Sequence, residues 1–419
     1  MNYILFDDSS RMDLYPMTLI RPVADIRIGI MTIREKWEKY LKDPVSILTD
    51  KYLSAKYPLV KGKSNILINA SVCPNPNLVK VITRLKAGQA LVCEDYIIAY
   101  NIDENDLELS DTADDTKIEE TDKIDLEGLN EITCDIPHMK INYPWNIFSF
   151  NGQAINEDFA LLTKGRKSAG ISATNKVIAG ENIFIEPGAK VECAIINASE
   201  GPVYIGKDAE VMEGAIIRGP FALCEHSVLK MGAKIYGPTT IGPYSKVGGE
   251  LNNTVIFGYT NKAHDGFIGN SVIGEWCNLG ADSNNSNLKN TYDEVKMWNY
   301  TQEKFIPSGL QFCGLIMGDH SKCGINSMFN TGTVIGVNAN IFGHGFQRCF
   351  IPSFSWGSSV SGYTTYDIAK AIEVARNVYQ RRGLELSKLD IDILQNVFNL
   401  TFPFRKKLSS SSNFCYFNN

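Results

Sequence analysis

His264 lies in a dense run of polar side chains, Asn261-Lys262-Ala263-His264-Asp265-Gly266-Phe267-Ile268-Gly269. A second polar run follows, Gly274-Glu275-Trp276-Cys277-Asn278-Leu279-Gly280-Ala281-Asp282-Ser283-Asn284-Asn285-Ser286-Asn287. A neutral imidazole beside polar amides is the usual general base for an amine or hydroxyl nucleophile. Asparagine amides donate and accept together, which suits the hydroxyls of a sugar. The plain alternative is structural: His264 as a corner residue, and the asparagines as turns or stacked ladders.

These residues need an element that repeats. From Ile205 every sixth residue is aliphatic: Ile205, Val211, Ile217, Leu223, Leu229, Ile235, Ile241 and Val247. A second run, Met317, Cys323, Phe329, Ile335 and Ile341, has the same period. Glycine often follows directly, as in Ile205-Gly206, Ile241-Gly242 and Ile335-Gly336. A period of six fits neither a helix nor a half-buried strand. It predicts short strands stacked as a triangular prism, three hexads to a coil, with each aliphatic side chain turned inward. After Val247 the phase slips, and the pattern resumes at Phe267, Ile273 and Leu279. Coils of about 18 residues stacked roughly 4.8 Å apart would place His264 and Asp282 on one face. The stretch from Asn284 to Gln311 breaks the period, and a loop leaving a rigid scaffold is a candidate functional element.

The flanks follow other rules. Residues 1–100 alternate strand-like runs (Tyr3–Phe6, Ile66–Asn69, Ala90–Cys93) with helical ones (Ile33–Tyr40, Leu78–Leu85), which predicts a parallel-sheet α/β domain. Asp103 to Asp135 carries 14 acidic residues against two lysines, and reads as a solvated surface insert. Near the C-terminus Thr365 is the expected N-cap of a helix carrying Ile368, Ile372, Ala375 and Tyr379 on one face, ending at Gly383. Ser387 is the expected cap of a second helix, and the Ser-rich tail from Ser409 reads as disordered. The expected domains are 1–145 (α/β), 146–174 (helical connector), 175–350 (β-helix) and 351–419 (helical extension and tail).

Composition excludes several classes. The net charge is −6, with no Lys/Arg-rich block, against a nucleic-acid or anionic-membrane partner. No apolar run is long enough to span a bilayer. The N-terminus MNYILFDDSS lacks the basic-then-apolar pattern of a secretory signal. Ten scattered cysteines without a CxxC pair fit free thiols in a reducing cytoplasm. The spacing of His320 and His344 puts them on different faces of the prism, so no zinc site is assigned with His264.

The segment NKAHDGFIGNSVIGEWCNLGADSNNSN resembles the acetyltransferase domain of bifunctional N-acetylglucosamine-1-phosphate uridylyltransferase/glucosamine-1-phosphate acetyltransferases. By that resemblance His264 takes the place of the catalytic base, and Phe267 falls where the family has a tyrosine. Asn278 and Asn287 fall on its two asparagines; Lys262 and Asn284, from the same polar runs, are further candidate substrate residues. The later GLIMGDHSKCGINSMFNTGTVIG resembles coils that bind the acetyl-CoA arm. The N-terminal LFDDSSRMDLYPMTLIRPVADI is similar to a nucleotidyltransferase signature. In it Arg11 matches the signature arginine, and Arg21-Pro22 replaces Lys-Pro. Asp7-Asp8-Ser9-Ser10 stands where a phosphate-cradling glycine loop is expected. Asn69 stands where an Mg2+-binding aspartate is usual. The chain as a whole resembles a divergent branch of that family.

The fold expected is therefore an α/β nucleotidyltransferase-like domain, a left-handed parallel β-helix of hexapeptide repeats, and C-terminal helices. The resemblance implies a cytoplasmic homotrimer that transfers an acetyl group from acetyl-CoA to an amino-sugar 1-phosphate. It also implies sugar-1-phosphate nucleotidyl transfer from an NTP with Mg2+. Two alternatives stand beside it: a nucleotidyltransferase whose β-helix is purely structural, and a non-catalytic sugar-nucleotide-binding scaffold.

Overall fold

Short apolar runs broken by turn residues set the N-terminal architecture. The computed structural model describes residues 1–94, 96–103 and 128–410, with side chains to 407. It forms two compact units, one of Met1–Leu14, Ile20–Ile26 and Met31–Tyr143, the other of Tyr15–Leu19, Arg27–Ile30 and Pro144–Asn419. Most of the acidic run, and nearly all of the Ser-rich tail, lie outside the described residues.

In the first unit six strands form one sheet. Their order is Ser46–Leu48, Asn2–Phe6, Ser64–Asn69, Tyr96–Asp103, Gln89–Cys93, Asn130–Thr133. The first three strands run parallel, as expected. Tyr96–Asp103 instead runs antiparallel to both its neighbours. Only two residues separate it from Gln89–Cys93, too few for a parallel crossover. Helix Ile33–Leu41 starts at Thr32, whose side chain and that of Glu35 form a reciprocal capping box.

In the second unit the period of six becomes a left-handed solenoid of about ten coils. All eight aliphatics from Ile205 to Val247, and all five residues of the second run, are buried in one core. The middle of the array differs from expectation. Past Val247 the inward residues are Leu251, Ile256 and Ile268, whereas Phe267 is only half-buried. The reason is coil length. A full coil of three hexads separates the register partners Val211 and Leu229. The coil from Val247 to Lys262 is half a hexad shorter, and the one from Asn261 to Asn278 falls short of the full length by a single position. Asp282 consequently stacks on Asp265, its N–H donating to the Asp265 carbonyl at 3.0 Å, and His264 does not share its position.

One corner of the prism is built from residues in the left-handed region: Asp208, His226, Tyr244, Tyr259, Trp276, His320, Asn338 and Phe354, with φ between 51° and 60°. The turn holds this column although coil length varies. The sequence between Asn285 and Gly314 leaves the stack as an antiparallel hairpin, Lys296–Asn299 with Lys304–Pro307. Its apolar residues fold back onto later coils: Trp298 stacks on Phe350 with centroids 4.2 Å apart. The predicted excursion is therefore a docked hairpin.

Two helices, Pro144–Ser149 and Asn151–Thr163, precede the solenoid. Three follow it: Ile368–Gln380, Lys388–Leu400 and Phe402–Ser410. Ser387 caps the second of these as expected, accepting from Asp390 N. The first is capped by Asp367, which accepts from Lys370 N; Thr365 belongs to the preceding strand Gly362–Thr365. Among the described residues no helix is long and apolar enough to cross a membrane.

Candidate functional site

Alternation along the short strands builds the floor of a groove. Lys246–Val247, Asn261–Lys262, Asn278–Leu279 and Lys322–Cys323 stack in parallel register. The second residue of each pair points inward, which turns Lys246, Asn261, Asn278 and Lys322 outward. Tyr259 and Trp276, from the left-handed corner, line one side; Ala263, His264, Gly280, Ala281 and Ile325 line the other. Val378, Arg381 and Arg382, at the end of helix Ile368–Gln380, complete a groove of about 680 Å³.

Its electrostatics are one-sided. The lining holds Lys246, Lys322, Arg381 and Arg382 and no carboxylate. Arg382 Nη2 donates to Asn261 Oδ1 at 3.2 Å, which ties the helix end to the floor. Lys322 Nζ donates to the His320 carbonyl at 2.8 Å, and burial lowers its pKa. An unbalanced cationic surface in a half-enclosed groove favours a phosphorylated ligand.

The helix is held by aromatic stacking. His226, Tyr244, Tyr259 and Trp276 form a continuous stack, with centroid separations of 4.7, 5.0 and 4.2 Å. Tyr379 lies on Trp276 and is parallel to His320. Sequence reasoning missed this column, although Asp208, His226 and Tyr244 recur with the period of one full coil.

The expected site residues separate into three places. His264 is exposed and lines the groove with Asn278. Phe267, Asn284 and Asn287 lie around the corner on the next face. There Asn284 Oδ1 accepts from Phe267 N at 2.7 Å, and its amide donates to the Asp282 carbonyl. The Phe267 ring and the Asn287 amide converge over Gly269, and Asn287 Nδ2 donates to Asn270 Oδ1 at 2.8 Å. Lys262 is a correction: it is 2% exposed, points into the solenoid, and is not part of the groove surface. Its ammonium donates to the carbonyls of His264 and Asp265, and burial pushes its pKa down to about 8. Gly266 completes the His264 corner at φ +114°, where a Cβ would meet the Ser283 carbonyl.

Arg11, Arg21 and Asn69 gather in the first unit, but as a buried network and not a phosphate-facing surface. Arg11, 4% exposed, pairs with Asp7 and Asp50 and donates to Tyr52 Oη and the Arg21 carbonyl. Arg21 is equally buried. Asp7 also accepts from Thr49 Oγ1 and Val23 N, yet burial outweighs these contacts and raises its pKa to about 6. Asn69 Nδ2 donates to Asp8 Oδ2 at 2.8 Å, and the Lys140 ammonium sits on that same oxygen at 3.1 Å. An amide and an ammonium thus satisfy the carboxylate oxygen beside Asn69, the position where the resemblance expects an Mg2+-binding aspartate. Among the described residues no group of three His, Cys, Asp or Glu side chains could hold a metal.

Residues 3–167 match the family model described as sugar nucleotidyl transferase. A "bifunctional sugar-1-phosphate nucleotidylyltransferase/acetyltransferase" of Sulfurisphaera tokodaii is 28% identical over 206 residues, 49% of this chain and 44% of that protein. A "bifunctional protein GlmU" of Methanococcus maripaludis is 28% identical over 236 residues, 56% of this chain and 49% of that protein. The chain spans about half the length of these curated relatives. A solved UDP-N-acetylglucosamine acyltransferase, LpxA of Bacteroides fragilis, matches 58% of this chain and 87% of its own at 16% identity. The TM-score is 0.24.

Proposed function

We propose, from the premise that this chain is a divergent relative of the bifunctional sugar-1-phosphate nucleotidyltransferase/acetyltransferases, that it is a transferase whose solenoid acetylates an amino-sugar 1-phosphate. The observation that carries this is the meeting of His264 and Asn278 in one cationic groove without a carboxylate. Acetyl-CoA supplies an activated thioester carbonyl. His264, exposed at the rim, accepts the proton as the sugar amine attacks, and returns it to the departing thiolate. Asn278 orients the sugar by donating and accepting hydrogen bonds. Lys246, Lys322, Arg381 and Arg382 neutralise phosphates of the bound ligands.

In this reading residues 1–145 carry the nucleotidyltransferase-like fold and 146–174 connect. Residues 175–350 hold the transfer site, and Val378, Arg381 and Arg382 from the 351–419 extension line it. Assembly into a cytoplasmic homotrimer belongs to the same proposal. It is supported by Ile195 and Ile216, register neighbours on an outer face that are 45% and 47% exposed. Exposed apolar neighbours of this kind favour a covered surface.

The test is thiol release from acetyl-CoA with glucosamine 1-phosphate. Turnover by the wild type that falls about 10²–10⁴-fold in His264→Ala supports transfer with His264 as base. No turnover with this or other amino-sugar phosphates overturns it. The match over residues 3–167 favours a second reading, sugar-1-phosphate nucleotidyl transfer. The enclosure of Arg11 weighs against it, and pyrophosphate release from an NTP decides the matter.

A further inference from the structure

Each strand of the groove floor turns one side chain into the solenoid. In register order that column reads Val211, Leu229, Val247, Lys262, Leu279, Cys323, Ile341. Six neighbours are small or aliphatic and one is a lysine. Lys262 is nevertheless as buried as they are. A single ammonium in an apolar column costs stability, and its neighbours show that the coil is satisfied by an aliphatic residue. What distinguishes Lys262 is what its Nζ holds: the carbonyl of His264 at 2.5 Å and that of Asp265 at 3.0 Å.

These two carbonyls form the corner that carries the imidazole. The Asp265 carbonyl also accepts the Asp282 N–H of the next coil. Gly266 then turns with a backbone conformation closed to larger residues. The corner is thus pinned from beneath by an interior charge, from the next coil by one ladder bond, and at its end by a glycine.

We propose that Lys262 is a positioning residue for His264, its ammonium fixing the corner from inside the solenoid so that the imidazole is presented to the groove. The proposal rests on the reading of His264 as the base. Asp265, Asp282 and Cys323 are the titratable groups that face Lys262, and the two aspartates favour its charged form. The cost in fold stability and the order gained at one corner are the two sides of the same substitution.

The test uses the full chain with Lys262→Met, which keeps length without charge, and Lys262→Leu, the residue type of the next coil. Both are expected to fold with a melting temperature equal to or above wild type. Exchange of the Asp282 and Glu250 amides, which donate to the corner carbonyls of Asp265 and Gly266, should accelerate about tenfold or more, because local opening is no longer resisted. Acetyl transfer should lose about tenfold or more in kcat with KM within roughly twofold, and the loss should not add to that of His264→Ala. Wild-type exchange at the corner in a folded variant overturns the proposal. So does failure of both variants to fold, which would make Lys262 a requirement of the coil itself. If the wild type transfers no acetyl group, the reading of His264 as base fails, and the exchange measurement still decides whether Lys262 fixes the corner.

Discussion

Tyr379 lies flat on Trp276, with ring centroids 4.0 Å apart and ring planes 21° apart. This contact joins the last turn of helix Ile368–Gln380 to a corner of the solenoid, just before the arginines that line the groove. Tyr379→Ala should therefore free the helix end. Stacked pairs contribute about 0.5–1.5 kcal/mol beyond area burial, so the global melting temperature should fall only slightly. Tryptic cleavage after Arg381 and Arg382 should quicken, and KM for the phosphorylated ligand should rise with little change in kcat. Limited proteolysis and steady-state kinetics check both outcomes.

Asn278 and Asn284 have different local roles, although they sit one hexad apart. Asn278 is exposed on the groove floor. Asn284 bridges the Phe267 N–H of the preceding coil and the Asp282 carbonyl of its own corner. Asn278→Ala should weaken ligand binding and leave thermal stability unchanged. Asn284→Ala should lower stability by about 1 kcal/mol, the usual net value of a lost hydrogen bond, without altering ligand affinity. Calorimetric titration beside thermal melting separates the two.

Lys262 also gives the protein a pH signature. Burial holds its pKa at about 8 against the usual 10.5. The folded state therefore binds this proton less tightly than the unfolded chain does. The penalty is full below pH 8 and fades as pH rises toward 10.5. One unit is about 1.4 kcal/mol, so the penalty is on the order of 3 kcal/mol. Lys262→Met should be more stable than wild type at pH 7, and the difference should shrink between pH 8 and 10. Chemical denaturation at several pH values measures it.

Arg11 is a structural hub. Its loss leaves the buried Asp7, and the partly exposed Asp50, without their cation. Arg11→Ala should cost roughly 3–5 kcal/mol in the first unit, as for other broken buried ion pairs. Acetyl transfer by the solenoid should persist once the protein is folded. A normal melting curve combined with lost NTP binding would show instead that Arg11 serves a nucleotide.

The solenoid is legible because its interior obeys one rule, an aliphatic residue at every sixth position from Ile205 to Val247. The rule fails where Lys262 replaces an aliphatic and the coils that end at Lys262 and Asn278 fall short of three full hexads. That is why Phe267, and not Ile268, reads as inward in the sequence, and why His264 is matched there with Asp282. His264 and Asn278 can be found from residue type and motif. The cations that join them cannot, because Lys246, Lys322, Arg381 and Arg382 converge only when separate coils and a C-terminal helix meet. In the first unit the signature positions are recognisable, but their burial is not. Whether Arg11 faces a ligand or two aspartates depends on Asp50 and Tyr52, which are distant in sequence.

The floor of the groove is a ruler. Lys246 and Lys322 stand three coils apart on one face, through Asn261 and Asn278. At about 4.8 Å per coil that separation is roughly 14 Å, set by backbone pairing and not by side-chain choice. An elongated ligand with anionic groups near both ends can meet both lysines at once. A compact acyl donor such as acetyl phosphate reaches only one of them, so under the proposed function the spacing favours the longer donor before any contact at His264 is made.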